Sequence, residues 1–257
     1  MADEAIPFDP FARFRLATRA RIGLGRSGDA LPSRHLLSFQ LAHALARDAV
    51  NGSVDWDGLT AGLPDGVETV AVHSAAPDRQ TYLRRPDLGR RLEAESLGRL
   101  SHAGWDLALV VADGLSAAAV QAWAPATAIE ILTRLKDWKV APIVLARQAR
   151  VALGDHVGER LGARMVAVLI GERPGLSVAD SLGIYLTYAP RPGCRDAERN
   201  CISNIHADGL SPAQAAEKLV WLAREGMRRK LTGVGLKEET PSTSIAGKEV
   251  PAIPNDA

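Results

Sequence analysis

Apolar and polar positions fall into two regimes along the chain. In the first sixty or so residues the apolar positions recur at helical spacing. Phe8, Phe11, Phe14 and Leu16 among arginines predict an amphipathic helix or arm over residues 8–21. Leu36, Leu37, Leu41 and Leu45 predict the apolar face of a second helix over residues 35–49. Gly23-Leu-Gly-Arg-Ser-Gly28 is a joint between the two, and Pro32-Ser33 opens the second. Residues 51–65, rich in Gly and Asp, read as a connection into the core.

From Val67 the pattern changes to short continuous apolar runs at 67–72, 107–112, 140–146 and 164–170, the signature of strands buried on both faces. Between them lie helical patterns at 86–100, at 116–138 (two helices broken at Pro125) and at 154–161. A further strand is expected at 182–188, bounded by Pro190 and Pro192. The last helix carries its own start signal. Ser211 caps it, Pro212 suits its first turn, Gln214 completes a capping box, and Ala215, Leu219, Leu222 and Ala223 form its core face. Alternating strand and helix predict an α/β fold with a Rossmann-like, doubly wound, mostly parallel sheet and an N-terminal helical extension. The organisation expected is a helical arm and connection over 1–66, a core over 67–236, and a polar, Pro-rich, disordered tail over 237–257.

Composition narrows the function classes. The 257 residues carry 31 Lys plus Arg against 30 Asp plus Glu, so no basic field exists to hold nucleic acid. No stretch reaches the roughly eighteen apolar residues of a membrane span, and the acidic start Met1-Ala-Asp-Glu is unlike a secretory signal, so a cytosolic chain is expected. Two cysteines, Cys194 and Cys201, lack companion histidines at metal-ligand spacing and give neither a disulfide framework nor a zinc site.

Ligands of open α/β sheets gather at the carboxyl ends of strands. One such end, Asp113-Gly-Leu-Ser116, reads as a strand-to-helix turn in which Asp113 bonds nearby amides. The other, Gly171-Glu-Arg-Pro-Gly-Leu176, crowds turn residues and opposed charges. Glu172 there offers an acceptor-only carboxylate to a bulky ligand's amide or hydroxyl donors, or else pairs with a neighbouring arginine. Residues 199–206 place a thiol, amides, a hydroxyl and an imidazole in an expected binding loop, where Cys201 and His206 also admit a nucleophile–base pair. Arg84-Arg-Pro-Asp-Leu-Gly-Arg-Arg91 is either a solvated helix start or an anion or partner contact. No nucleotide-triphosphate loop is present, and Gly23–Gly28 follows a helix where a dinucleotide fingerprint follows a strand. Asp155-His156 sits in what reads as an exposed helical turn.

Five ordered motifs resemble those of the ethanolamine ammonia-lyase small (light) subunit family. They are Gly25-Arg-Ser-Gly28 with Pro32 and Leu36-Leu37, Tyr82-Leu-Arg-Arg-Pro-Asp-Leu-Gly-Arg-Arg91, Ala112-Asp-Gly-Leu-Ser116, Gly171-Glu-Arg-Pro-Gly-Leu176 and Cys201-Ile-Ser-Asn-Ile-His206. The resemblance spans about 21–235 and implies a radical, adenosylcobalamin-dependent cleavage of ethanolamine to acetaldehyde and ammonia. In that family the large subunit, a barrel, holds the substrate, and the small subunit closes over the cofactor in a hetero-oligomer. No catalytic acid, base or nucleophile is then expected in this chain. Cofactor contacts carry over to Val151, Glu172 and Cys201. The motif Asp-x-His-x-x-Gly is absent, which implies a cofactor still bound by its own benzimidazole, base-on. The family glycine before Arg150 is replaced by Ala149, and the segment before Arg21 is shorter than in enteric relatives, which leans toward free cytosol over a microcompartment.

Overall fold

The computed structural model describes residues 9–237. The tail expected from residue 237 onward therefore lies, Lys237 apart, outside the described residues. Contacts divide the chain into two compact units, the second running Leu45–Thr240.

The described part of the first unit carries a short helix α1 (Ala12–Ala17) and most of a long helix α2 (Ser33–Asn51). The 8–21 pattern yields only six helical residues. The leucine face predicted for α2 is not a core face. Leu36, Leu37, Phe39, Leu41 and Leu45 are all exposed, and Ala49 is the helix's one buried residue. Helical spacing identifies the helix, but only a partner surface can bury its stripe.

The second unit is an α/β layer structure. Its six strands are β1 (Thr69–His73), β2 (Leu107–Ala112), β3 (Ile143–Arg147), β4 (Met165–Gly171), β5 (Leu182–Tyr188) and β6 (Arg199–Ile205). They form one sheet in the order β1-β3-β2-β4-β5-β6. The pairs β1·β3, β3·β2 and β2·β4 are parallel, whereas β4·β5 and β5·β6 are antiparallel. The apolar runs at β2 and β4 are continuous because both faces are covered. Leu107, Leu109 and Val111 pack with Ile131 of helix α6 (Ala117–Arg134) and Leu219 of helix α8 (Pro212–Arg229). Ala108 and Val110 pack on the other side with Leu153 and Val157 of helix α7 (Leu153–Leu161). Pro142 cannot donate to a ladder, so β3 starts after it and not at Val140.

Several expectations are corrected. Pro125 does not break α6, which runs through it, because Ala119, Val120, Ala124, Ala128 and Ile131 bury its length and offset the roughly 3 kcal/mol a helical proline costs. The helix expected over 86–100 is instead helix α4 (Arg79–Arg84), one 3-10 turn at Leu88–Arg90 and the short helix α5 (Ala94–Leu97). Helix α4 starts where the Asp78 side chain accepts from the Thr81 amide, and Pro86 keeps the residue before it, Arg85 (φ −123°, ψ 75°), out of the helical region. The connection 51–65 contains helix α3 (Trp56–Ala61), capped by Asp55, whose Leu59 is fully buried.

The expected binding loop at 199–206 is strand β6. A register shift between Leu182 and Ile184 sets Ile205 opposite Leu182 and Ile202 opposite Ile184, so three steps on β6 face two on β5. Asn204 takes φ +63° within that bulge. The bulge spaces the buried residues Ile202 and Ile205 by three, and Arg199 is buried on the opposite face against Asp155, which together hide the two-residue period of a strand. The capping box at Ser211 is present as expected. No helix among the described residues is long and apolar enough to cross a membrane.

Candidate functional site

The loops after β2, β3 and β4 converge at the carboxyl ends of the parallel strands. Asp113, buried after β2, accepts hydrogen bonds from the amides of Gly114 (2.9 Å), Gln148 (2.8 Å) and Ala149 (2.9 Å). It thus fastens the β2 turn to the β3 loop, in keeping with the turn reading. Burial raises the Asp113 carboxyl above the ordinary range, and the Ala149 and Gln148 amides work against that. Gly114 has φ +58°, and an added side chain would fall on the Gly171 carbonyl. Gly171 in turn has no room beside the Ser116 carbonyl. Backbone thus meets backbone across the floor of the site, which only glycine permits.

Tyr82 stands beside this floor, buried, with the guanidiniums of Arg79 (4.8 Å) and Arg150 (4.7 Å) over its ring. Its hydroxyl donates to the Ala149 carbonyl at 3.2 Å, and burial, reinforced by Asp113, pushes its pKa up to about 12. Arg150 is held through its amide to the Gly89 carbonyl (2.8 Å) and through Nη2 to the Tyr82 carbonyl (3.3 Å). Two buried nitrogens, Arg150 Nε and Arg79 Nη2, have no hydrogen-bond partner.

Opposite lies Glu172. Its carboxylate, half-buried, accepts from Ser181 Oγ at 2.6 Å, and its amide donates to the Ser181 carbonyl at 2.9 Å. Both bonds run to a serine and not to the neighbouring Arg173. Tyr185 of β5 is paired in register with Cys201 of β6. Burial raises both groups above their ordinary pKa, so the thiol stays protonated at neutral pH.

These residues enclose a cleft of about 430 Å³ whose walls include Tyr82, Leu115, Arg150, Val151, Glu172 and Tyr185. A second hollow of about 380 Å³ adjoins it through Arg150, Val151 and Tyr185 and is lined further by Arg90, Cys194 and Arg195. Val151 and Glu172, singled out from the sequence, therefore share one cleft. Cys201 is not among its walls and stands one side chain behind, on Tyr185. Cys201 and His206 have separate partners, since a ring nitrogen of His206 takes the Asp208 amide at 3.3 Å. His206 lies beyond the end of β6, past the bulge at Asn204, and a raised thiol is the opposite of an activated nucleophile.

The light-chain family model of ethanolamine ammonia-lyase matches residues 8–237, nearly the whole chain. The chain belongs to the ethanolamine ammonia-lyase light-chain family. It is as such a subunit of a carbon–nitrogen lyase. Named ethanolamine ammonia-lyase small subunits are similar to it throughout. That of Xanthomonas campestris pv. campestris is 57% identical over 242 residues, covering 91% of this chain and 89% of that protein. That of Bradyrhizobium diazoefficiens is 54% identical over 247 residues (93% and 95%). That of Pseudomonas syringae pv. tomato is 51% identical over 256 residues (95% and 88%).

Sequence reasoning missed the buried ion pair that braces this light chain's site. Asp155 of α7 and Arg199 of β6, both almost fully buried, are joined at 2.6 and 2.8 Å. Arg199 also donates to Thr187 Oγ1 (3.0 Å) and the Cys194 carbonyl (2.8 Å). The Asp155 turn is therefore buried, contrary to the expectation of an exposed one. A signal was available in Gly154 and Gly158, four apart on the same face, where added side chains would strike Val168 and Pro190. Glycines at that spacing let a helix press onto a sheet, which makes the residue between them an inside position.

Proposed function

We propose that this chain closes the adenosylcobalamin site of an ethanolamine ammonia-lyase against a larger, barrel-type catalytic subunit, and that the assembled hetero-oligomer converts ethanolamine to acetaldehyde and ammonia. The reading rests on one observation above the others. Val151 and Glu172 share a cleft at the carboxyl ends of β2, β3 and β4, with Tyr185 and Cys201 adjoining it. On this reading the sheet is the Rossmann-like, doubly wound type, with β5 and β6 added to its edge.

The residues suit the cofactor's chemistry. A corrin is a broad apolar disc fringed with amide arms, and a cleft of about 430 Å³ takes its edge, not its whole. Glu172, pinned by Ser181, offers fixed acceptor oxygens to amide hydrogens. Val151 supplies apolar contact, and Arg150, on the wall of the cleft, supplies a guanidinium to an acceptor from outside the chain. The Tyr185 and Cys201 pair presents a neutral, protonated edge. When bound base-on, the cofactor supplies a carbon radical by homolysis of its cobalt–carbon bond. This chain's residues hold, orient and shield; none of them moves a proton to or from the substrate. The wet apolar positions of α1 and α2, among them Leu16 at 84%, Leu37 at 63% and Leu41 at 61% exposure, support docking of the larger subunit there.

The test reconstitutes the chain with its large subunit and measures adenosylcobalamin retention after gel filtration alongside ethanolamine turnover. Glu172→Gln and Val151→Asp should each lower retention at least severalfold while the two chains still co-elute. Turnover by this chain alone, or full retention in both variants, overturns the reading.

A further inference from the structure

The second hollow carries more than the first explains. Three arginines, Arg90, Arg150 and Arg195, converge on about 380 Å³ of space against one carboxylate, Asp196. Asp196 stands almost wholly in solvent (its side chain is 96% exposed) and lies 3.5 Å from Arg199 Nε, so its charge is directed partly elsewhere. The hollow also holds the amide end of α7, through Val151 and Ala152, which adds positive potential. The independent sign of a ligand is Arg150 Nε, a buried donor without a partner, on a guanidinium fixed by the Tyr82 ring and carbonyl. Buried unpaired donors are rare and costly, and the residue that carries this one lines both hollows.

We infer that this arginine-lined hollow is a phosphate pocket, and that its occupant is the phosphodiester of the cofactor's nucleotide loop. The inference rests on the proposal that this chain closes the cobalamin site and gives that site a second, anionic half. The first cleft, with Glu172, suits amide arms that donate. The second, with three guanidiniums, suits a singly charged diester that only accepts. The shared walls Arg150, Val151 and Tyr185 set the two hollows side by side, within reach of one molecule with an amide fringe and a pendant phosphate.

Arg90 and Arg195 are exposed, so their replacement leaves the core untouched, whereas Arg150 braces Tyr82. The experiment therefore uses Arg90→Gln and Arg195→Gln in the reconstituted two-subunit complex. Affinities are read spectroscopically, not by turnover, for three probes: adenosylcobalamin, adenosylcobinamide phosphate and adenosylcobinamide, which lacks the phosphate and base. The unaltered complex should prefer cobinamide phosphate over cobinamide, and each variant should shrink that preference by roughly three- to tenfold while leaving cobinamide affinity unchanged. Inorganic phosphate at millimolar levels should compete with the phosphate-bearing probes and not with cobinamide. An unchanged preference in both variants, or equal weakening for all three probes, overturns the inference. The companion Glu172→Gln variant separates the two ideas. It should weaken all three probes, so loss there with an unchanged phosphate preference removes the phosphate pocket alone, and no loss in any variant removes the cofactor site as well.

Discussion

Replacing Asp155 by Ala leaves the Arg199 guanidinium charged and buried without its counterion. Burial pulls the Arg199 pKa down, and the hydrogen bonds and charge of Asp155 more than restore it, leaving it above its ordinary value. Arg199 therefore keeps its charge, and no titration of it relieves the variant. Breaking a buried pair from one side costs about 3–5 kcal/mol. Thr187 Oγ1 and the Cys194 carbonyl still accept from Arg199, so the lower end, about 3 kcal/mol, is expected. Against a total stability of about 5–15 kcal/mol that is a large fraction. Urea unfolding followed by tryptophan fluorescence should show a lower midpoint at unchanged slope. The double replacement Asp155→Leu with Arg199→Met removes both charges and should recover to within about 1 kcal/mol of the starting protein, because a buried pair gives little net gain over apolar packing. A loss below about 1 kcal/mol for Asp155→Ala, or a double variant less stable than the single one, refutes this account. The same single variant should loosen cofactor retention, since the pair ties α7, which begins two residues after Val151, to the strand that carries Cys201.

Alkylation of Cys201 by iodoacetamide in the cofactor-free protein should run slower at pH 8 than that of a free cysteine and accelerate only above the ordinary thiol range, because the raised pKa keeps the thiolate scarce; a rate typical of an activated thiol contradicts this. Gly171→Ala should destabilise by about 1–3 kcal/mol or more, as its methyl falls on the Ser116 carbonyl, and wild-type stability in thermal melts would show that the floor yields. Asp113→Asn should cost about 1–3 kcal/mol, since one amide donor must face a side-chain NH2. The Asp113 pKa is raised in the folded state, so its contribution is full below the unfolded value near 3.8 and declines as pH rises through the folded value; the gap to the Asn variant, read by urea unfolding, should narrow with pH in that window, and a gap that widens would contradict the sign.

The parallel half of the sheet was legible because buried strands such as β2 and β4 announce themselves as unbroken apolar runs between helices. The antiparallel edge was half legible: β5 has such a run, whereas β6 hides behind a bulge at Asn204 and an arginine facing inward. Glu172 was legible from its place after a strand, and its partner was not, since Ser181 lies nine residues on, across an irregular loop. Val151 carries no chemical signal of its own and entered through family resemblance. Tyr82, Arg150 and Tyr185 were missed as walls of the cleft because their convergence is a product of tertiary packing: Tyr82 comes from the helix at Arg79–Arg84, Arg150 from the loop after β3 and Tyr185 from mid-strand.

Helix α2 has a bearing on how the protein is made. A nineteen-residue helix with only Ala49 buried has leucines toward water on more than one side, so the described residues give it little to pack against. Synthesis of this subunit in excess of its partner then has a direct cost, since every unmatched copy carries an adhesive flank into a crowded cell. Matched synthesis of the two chains would keep that flank brief, and yield on expression alone should fall with concentration in a way that leucine-to-glutamate changes at positions 37 and 41 relieve.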